Sequence, residues 1–509
     1  MSQPPPDRTP ASLIGRASRV FLVGIGGAGM SAIARVLAAR GAEVHGCDAT
    51  ATPITDALAA DGLRLAIGDD AALPGGTDLV IASAAIPADH PVRTRADASG
   101  VPVLGYSAAL GGLMDRHTGI AIAGTHGKST TAAMLGAALV DAGLDPTAIV
   151  GATSRQLTSG ALAADEGPVG SRLGAPVVPR GPLAGRPGLL VAEACEFNRS
   201  FLDLRPTIGC IGGIEADHLD QYGSLGAVVD AFARFAALLP PAADGGVLLM
   251  GHNDPHRLTV SAATSARVET VGCNPHADWT ATYDEPSGVV SVRHGGTQAA
   301  WRQRMPGPHN AENAAMAFAA ACTAGADASV VAESLGAFRG VDRRCQLLGE
   351  RPVAGGAVRV YDDYGHHPTE VDATLRAIRR AERPEARGGR LIAVFQPHQH
   401  TRTRFLLDGF AASFSAADHV VVPEIYRVRE TEADRRSVGA QDLVNRVQAQ
   451  GVDAVHVHPF ANVVAHLDRA CRPGDVVVVM GAGPVWQVAR DFMANGAPRD
   501  ATRPAVAHA

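Results

Sequence analysis

A chain of 509 residues, 46% hydrophobic and 19% charged, is long enough for about three domains with sizeable cores, which excludes a disordered chain or a disulfide-stapled scaffold. A net charge of −6 and an aromatic content of 4% leave no basic footprint for nucleic acid or an anionic membrane, and few rings to stack on single strands. Of the 45 basic residues 44 are arginine, and the one lysine is Lys128.

Residues 1–15 are rich in proline and read as a disordered tail. The run VFLVG (Val20 to Gly24) reads as a strand, and MSAIARVLAARG after it as a helix. Met30, Ile33 and Leu37 make its apolar face and Gly41 its stop. AEVHGCD, DLVIAS and VPVLG complete a first βαβ-type unit, 16–113. GIAIAG (Gly119 to Gly124) and the helix TTAAMLGAALVDAG open a second, 114–340. It continues through LLVAE and TIGCIGGIEADH and closes on the helix HNAENAAMAFAAACTAG. Within it, residues 156–188 are rich in Gly, Pro and Ala and read as a long surface loop. A third unit, 341–495, alternates VRVYDDY, TEVDATLRAIRRA, RLIAVFQPH, RFLLDGFAASF, HVVVPEIY, VDAVHV and VVVVMGAG. Residues 496–509 read as a second disordered tail. The fold class is therefore α/β, with three open sheets in a row and ligands expected just after strand ends.

The seven cysteines are scattered without a C-x-x-C, as expected of a reduced, cytoplasmic protein with no structural zinc. No signal peptide and no membrane helix are expected, because MSQPPPDRTP lacks an apolar stretch and no apolar run reaches about 20 residues.

Four motifs carry chemistry. Gly24, Gly26, Gly27 and Gly29, with Met30 and Ser31, lie between a strand and a helix. Glycines there allow a tight turn and close approach of a diphosphate to the helix N-terminus, and Asp48 ends the next strand, where an acid can meet a ribose hydroxyl. Taken alone the motif favours a dinucleotide such as NAD over another diphosphate ligand. The second motif is Gly124, Thr125, His126, Gly127, Lys128, Ser129, Thr130, again between strand and helix. Its Gly-Lys-Ser ending suits a phosphate loop. Backbone N–H groups wrap phosphate oxygens, Lys128 meets the β/γ charge and Ser129 can bind Mg²⁺. A planar guanidinium does not replace that point charge, which explains why the one lysine stands here. Third, Glu193, Asp217 and His218 follow strands beside this loop and suit Mg²⁺ when phosphate supplies the other oxygens. Fourth, Tyr364, His366 and His367, and the arginines after His398 such as Arg402, suit substrate hydrogen bonding and a carboxylate better than zinc. Arg343 and Arg344 suit phosphate charge.

From about Arg19 to about Arg490 the chain resembles the Mur ligases. The resemblance rests on GIGGAGMS, GTHGKSTT, EACE…FL, IEADHLDQY, GPHNAEN, DRRCQLLGE, DDYGHHPTEV, FQPHQHTRTR and the late GAG, all in the family's order. It implies an N-terminal Rossmann-like domain for a UDP-sugar, a central P-loop-type ATPase and a C-terminal Rossmann-like domain for an amino acid. The first glycine loop then holds the UDP diphosphate rather than NAD, with Asp48 and Ser83 in the same region. Ser129, Glu193 and His218 map to Mg²⁺, and His309, Asn310 and Asn313 to the adenine nucleotide. Arg344 and Asp363 map to ATP contacts, and Tyr364, His366 and Arg402 to the amino acid. Lys128, Glu193, His218 and Arg344 are the expected catalytic group. The resemblance points to the alanine-adding branch, joining L-alanine to UDP-N-acetylmuramate at the expense of ATP. A monomer or weak homodimer is expected. Several sibling ligases use a carbamylated lysine for a second Mg²⁺, and this chain has no lysine left for that role.

Four positions depart from the family pattern: Cys195 replaces Asp, Gly213 Asn, Pro308 Arg, and Gln399 an Arg that helps bind the amino acid carboxylate. Arg402 then carries that carboxylate alone, or Gln399 adds a neutral hydrogen bond. Rival readings are a sibling ligase that attaches a preformed peptide, an NAD-dependent oxidoreductase, which leaves GTHGKSTT unexplained, and a non-catalytic nucleotide-binding regulator.

Overall fold

The computed structural model describes residues 9–163, 167, 169–428 and 430–495. The chain divides into two compact units, Met1–Val341 and Asp342–Ala509. Three separate sheets run through them.

The first sheet is parallel throughout. Its strands are β1 (Arg19–Val23), β2 (Glu43–Asp48), β3 (Arg64–Ile67), β4 (Leu79–Ala82) and β5 (Val103–Gly105), in the order β3-β2-β1-β4-β5. β1 and β4 are continuous apolar runs because both faces of a parallel sheet are covered. The helix Pro10–Arg16 precedes β1, is capped by Thr9 and buries Ile14. The expected tail is thus ordered from residue 10, while residues 1–8 and 496–509 lie outside the described ones.

The second sheet has ten strands: β6 (Thr118–Ala123), β7 (Thr147–Ser154), β8 (Val169–Arg172), β9 (Leu189–Glu193), β10 (Ile208–Ile211), β11 (Val247–Gly251), β12 (Arg267–Gly272), β13 (Trp279–Asp284), β14 (Val289–His294) and β15 (Thr297–Arg302). The order is β15-β14-β13-β12-β11-β10-β6-β9-β7-β8. It is parallel from β7 through β13, with antiparallel β8 at one edge and β14–β15 at the other. Along the meander Trp279, Ala281, Val290, Val292 and Trp301 alternate inward, the pattern of a sheet with one dry face. Residues 156–188 are not simply a surface loop: β8 pairs with β7 within them, and Leu157 and Val178 are fully buried. The helices Lys128–Asp141 and Pro308–Thr323 pack against each other, and both bury small residues such as Ala132, Ala133, Ala315 and Ala319. Small side chains let the two backbones approach, which sets the second helix close to the loop Gly124–Gly127.

Immediately before β6 sits His117, whose Nε2 accepts from Arg40 and whose Nδ1 donates to the Leu113 carbonyl. The ring is therefore neutral, and burial, helped by the Arg40 charge, pushes its pKa down to about 4. The unfolded chain protonates near 6.5, so stability is retained at neutral pH and lost as pH falls from about 6.5 towards 4. Urea unfolding should show that loss, at up to about 1.4 kcal/mol per pH unit, and His117→Gln should flatten it. An equal pH dependence in the variant would assign the acid sensitivity to other groups.

The second unit holds a six-stranded sheet: β16 (Gln346–Val353), β17 (Gly356–Asp363), β18 (Leu391–Phe395), β19 (His419–Val422), β20 (Asp453–His456) and β21 (Val476–Met480). The order is β16-β17-β21-β18-β19-β20, parallel except for β16. β18 and β21 are fully buried at its centre. The stretch RFLLDGFAASF is not one helix: it falls across two short ones, His400–Phe405 and Leu407–Ser413.

Candidate functional site

β6 ends at Ala123 and the chain turns through Gly124 to Gly127 into the helix Lys128–Asp141. Gly124 has φ +127°, and a Cβ on it would stand 3.1 Å from the Gly212 nitrogen. Gly127 is left-handed at φ +77°, and a Cβ there would come within 2.1 Å of Asn313 Oδ1. Both glycines are thus required by close approach as well as by backbone angle. Asn313 closes over the loop from the neighbouring helix, and Asn310 beside it donates to the Pro306 carbonyl at 2.8 Å. His309 stands on the same first turn, half-buried. Pro308 occupies the first helical position, where its missing N–H costs nothing.

The Lys128 ammonium donates to the carbonyls of Gly124 (2.7 Å) and Thr125 (3.0 Å), and its Nζ lies 2.9 Å from Glu196 Oε2. Burial disfavours its charge, but Glu196, with Cys195 and Glu193, together more than offset this and the pKa is raised. Lys128 therefore remains a cation at neutral pH. Ser129 Oγ donates to Glu193 Oε2 at 3.0 Å, and Glu193 Oε1 accepts from the Gly151 amide. The Thr125 hydroxyl accepts from Glu215 N at 2.9 Å, His126 Nε2 faces Glu215 Oε2 at 3.4 Å, and Thr130 is buried. At Gly213, a Cβ would meet only Asp254 Oδ2, at 3.8 Å, so the glycine leaves room beside the loop.

His218 is left-handed at φ +51° and caps the short helix Leu219–Tyr222. Its Nε2 lies 3.7 Å from Asp217 Oδ2, and Phe197 meets its ring edge-on at 5.0 Å. One ligand atom each from Glu196, Asp217 and His218 falls within 4.8 Å of the others. The structure thus joins Ser129 to Glu193, and His218 to Asp217 and Glu196. Glu196 was missed by sequence reasoning. Its signal lies in EACE, where it follows Glu193 by three, and only the kinked turn Phe197–Asp203 directs it at Lys128. Tyr222 holds that turn by donating to the Glu196 carbonyl. The donors around Ser129 and Glu193 are oxygens, the set that suits Mg²⁺.

The first glycine loop joins β1 to the helix Ala28–Ala39. Gly24 is left-handed at φ +74°, and a Cβ on it would press on Ser83 at 3.0 Å. Gly27 caps the helix Ala28–Ala39, whose first turn offers N–H groups without intrahelical partners. Asp48 does not stand idle awaiting a ribose: its Oδ2 accepts from Gly26 N at 2.8 Å and braces the loop. Met30 is buried, and the Ser31 hydroxyl turns inward to donate to the Ala28 carbonyl at 2.9 Å.

In the second unit Asp363 ends β17 and is buried, accepting from Cys345 N and Gly365 N, both at 2.6 Å. Burial pushes its carboxyl up to about 6 against the pull of Arg344. The Arg343 and Arg344 guanidiniums lie 5.1 and 4.9 Å from the Tyr364 ring centre. His366 meets that ring edge-on at 5.3 Å, and its amide donates to Glu370 at 2.9 Å. His367 is a helix cap: its Nδ1 accepts from Thr369 N. Arg402 lies on the helix His400–Phe405, whose start is held by the Glu430 carboxylate, with Oε1 accepting from Thr401 N at 3.0 Å and Oε2 meeting His400 Nδ1 at 2.8 Å. Gln399, at φ +64°, donates its amide to the Val428 carbonyl at 3.2 Å, so its side chain is engaged by the protein itself.

Three family models match in succession: the Mur ligase family catalytic domain over residues 19–118, the middle domain over 122–321 and the glutamate ligase domain over 343–483. The chain belongs to the Mur ligase family. Within the family it is similar to the UDP-N-acetylmuramate–L-alanine ligase of Kineococcus radiotolerans, with 39% identity over 94% of this chain and 96% of that protein. The ligase of the same name from Acidothermus cellulolyticus is 39% identical over 92% of each chain. Among solved structures, the UDP-N-acetylmuramate–alanine ligase of Thermotoga maritima shares the Mur ligase fold with TM-score 0.74 and 24% identity, over 94% of this chain and 98% of that one. A murein peptide ligase from Psychrobacter arcticus shares it with TM-score 0.69 and 23% identity, over 94% and 98%.

Proposed function

We propose that the protein joins L-alanine to the lactyl carboxylate of UDP-N-acetylmuramate, with ATP as the energy source. The observation that carries this reading is the similarity at 39% identity, along nearly the whole chain, to ligases named for that reaction. The phosphate loop built around Lys128 supports it.

A carboxylate resists an amine because resonance and charge oppose attack. Its oxygen therefore attacks the γ-phosphorus of ATP first, releasing ADP and leaving an acyl phosphate. The amine then attacks the acyl carbon, loses a proton, and the tetrahedral intermediate expels phosphate. Lys128, in the free protein shared among two carbonyls and Glu196, turns its charge to the transferred phosphoryl oxygens. The loop N–H groups and Thr130 hold the nucleotide phosphates, and Asn310 and Asn313 serve its adenosine side with His309. Mg²⁺ bound by Ser129, Glu193 and His218 would neutralise phosphate charge. Arg344 and Asp363 are assigned to ATP, and Tyr364, His366 and Arg402 to the amino acid. Gln399 is engaged with Val428, so the carboxylate falls to Arg402. The glycine loop at Gly24–Gly29 holds the UDP diphosphate.

No described helix is long and apolar enough to cross a membrane, and all seven cysteines are free. The cytoplasm is the proposed compartment.

The deciding assay follows phosphate release with ATP, Mg²⁺ and UDP-N-acetylmuramate against a panel of amino acids and one preformed tripeptide. L-Alanine should support turnover and the tripeptide should not. Turnover with the tripeptide alone would move the protein to the peptide-attaching branch.

A further inference from the structure

Tyr106 has no part in the site as the sequence presents it. It is the first residue of the helix Tyr106–Met114, just after β5. Its phenol end lies against the first turn of the helix that follows the glycine loop. A Cβ built on Gly29 would stand 2.6 Å from both Tyr106 Cζ and Oη. The glycine at 29 is therefore required by this ring and not by its own backbone angle, since its φ is ordinary. The hydroxyl lies beside N–H groups that no helical carbonyl can satisfy. The side chain that sequence reasoning placed there, Ser31, has turned inward to Ala28.

The surroundings keep the phenol protonated. Burial raises its pKa most, and the nearby acidic groups Glu193 and Cys195 raise it further. A neutral phenol next to a helix N-terminus is a hydrogen-bond donor for an anion.

We infer that Tyr106 is a substrate-binding residue, its hydroxyl donating to a diphosphate oxygen of the UDP-sugar at the N-terminus of the helix Ala28–Ala39. The inference rests on the proposed use of this loop for a UDP-sugar. It adds a side-chain donor to a loop whose other contacts are backbone N–H groups.

Tyr106→Phe keeps the ring against Gly29 and removes only the hydroxyl, so folding should be unaffected. Calorimetric titration of the full chain with UDP, UDP-N-acetylmuramate and ADP reads the effect. The expected result is about a tenfold rise in Kd for both uridine ligands, as for loss of a hydrogen bond to a charged group, with the ADP Kd within about twofold of wild type. In turnover, KM for UDP-N-acetylmuramate should rise more than kcat falls. A Kd for UDP within about twofold of wild type would overturn the assignment. So would a parallel loss of ADP affinity, which would mark Tyr106 as structural. Wild-type protein that binds UDP but ligates no amino acid would overturn the ligase reading while leaving the Tyr106 comparison readable. Wild-type protein that fails to bind UDP would overturn both.

Discussion

Lys128→Arg is expected to reduce ATP- and amino-acid-dependent phosphate release by about a thousandfold or more, with an unchanged thermal midpoint. The ammonium converges on two loop carbonyls and the Glu196 carboxylate within 3.0 Å. A planar guanidinium is wider and cannot aim three donors into that volume, so it cannot reach the transferred phosphate from the same backbone. It does keep the positive charge beside Glu196, which is only 2% exposed. That is why arginine is a better probe than methionine: removing the charge would strand a buried carboxylate, at a cost of about 3–5 kcal/mol, and confuse chemistry with folding. Phosphate release and a thermal melt on the same preparation check the prediction. Turnover at wild-type rate would remove Lys128 from the chemistry, and with it the reason this chain retains a lysine.

Glu193→Gln should lower turnover by about a hundredfold or more and raise the Mg²⁺ concentration needed for half-maximal rate. In the free protein one carboxylate oxygen accepts from Ser129 and the other from Gly151. An amide of the same shape keeps both contacts only if its oxygen stays on Gly151 and the Ser129 hydroxyl turns from donor to acceptor. It also removes the negative charge that a divalent cation requires. The rate measured across a Mg²⁺ series separates the two losses. A purely structural effect lowers the plateau, whereas loss of a cation ligand also shifts the curve. An unshifted curve with a normal plateau would exclude Glu193 as a ligand.

Much of this was legible in the chain because parallel sheets and nucleotide loops leave strong local marks. Continuous apolar runs such as VFLVG and VVVVM can be buried on both faces only as central strands. Glycines between such a run and an amphipathic helix mark a turn that a side chain would obstruct, as Gly124 and Gly127 do. The meander β13–β15 went unread, although Ser287-Gly288 and Gly295-Gly296 are hairpin turn signals and the strands alternate. Its strands are only six residues each, half apolar, and easily taken for loop. Residues 156–188 misled for the opposite reason. Gly and Pro there serve tight packing, as at Gly188, where a Cβ would fall 1.9 Å from the Ala175 carbonyl oxygen.

By itself, then, the sequence determined the α/β class, the central parallel strands and the helices after them, the two glycine loops and the place of the single lysine at a helix start. Those features depend on residues within a few positions of one another, where backbone geometry and side-chain size act locally. Tertiary structure alone decided that Glu196 pairs with Lys128, that Asp48 braces Gly26, that Gln399 is held by Val428, and that Tyr106 lies on Gly29. The last is the clearest case, because 77 positions separate the two residues and nothing in the local pattern of either requires the other. Hydrogen bonds and close contacts of that kind depend on where the sheet and its helices place the side chains, and only the folded packing sets those positions.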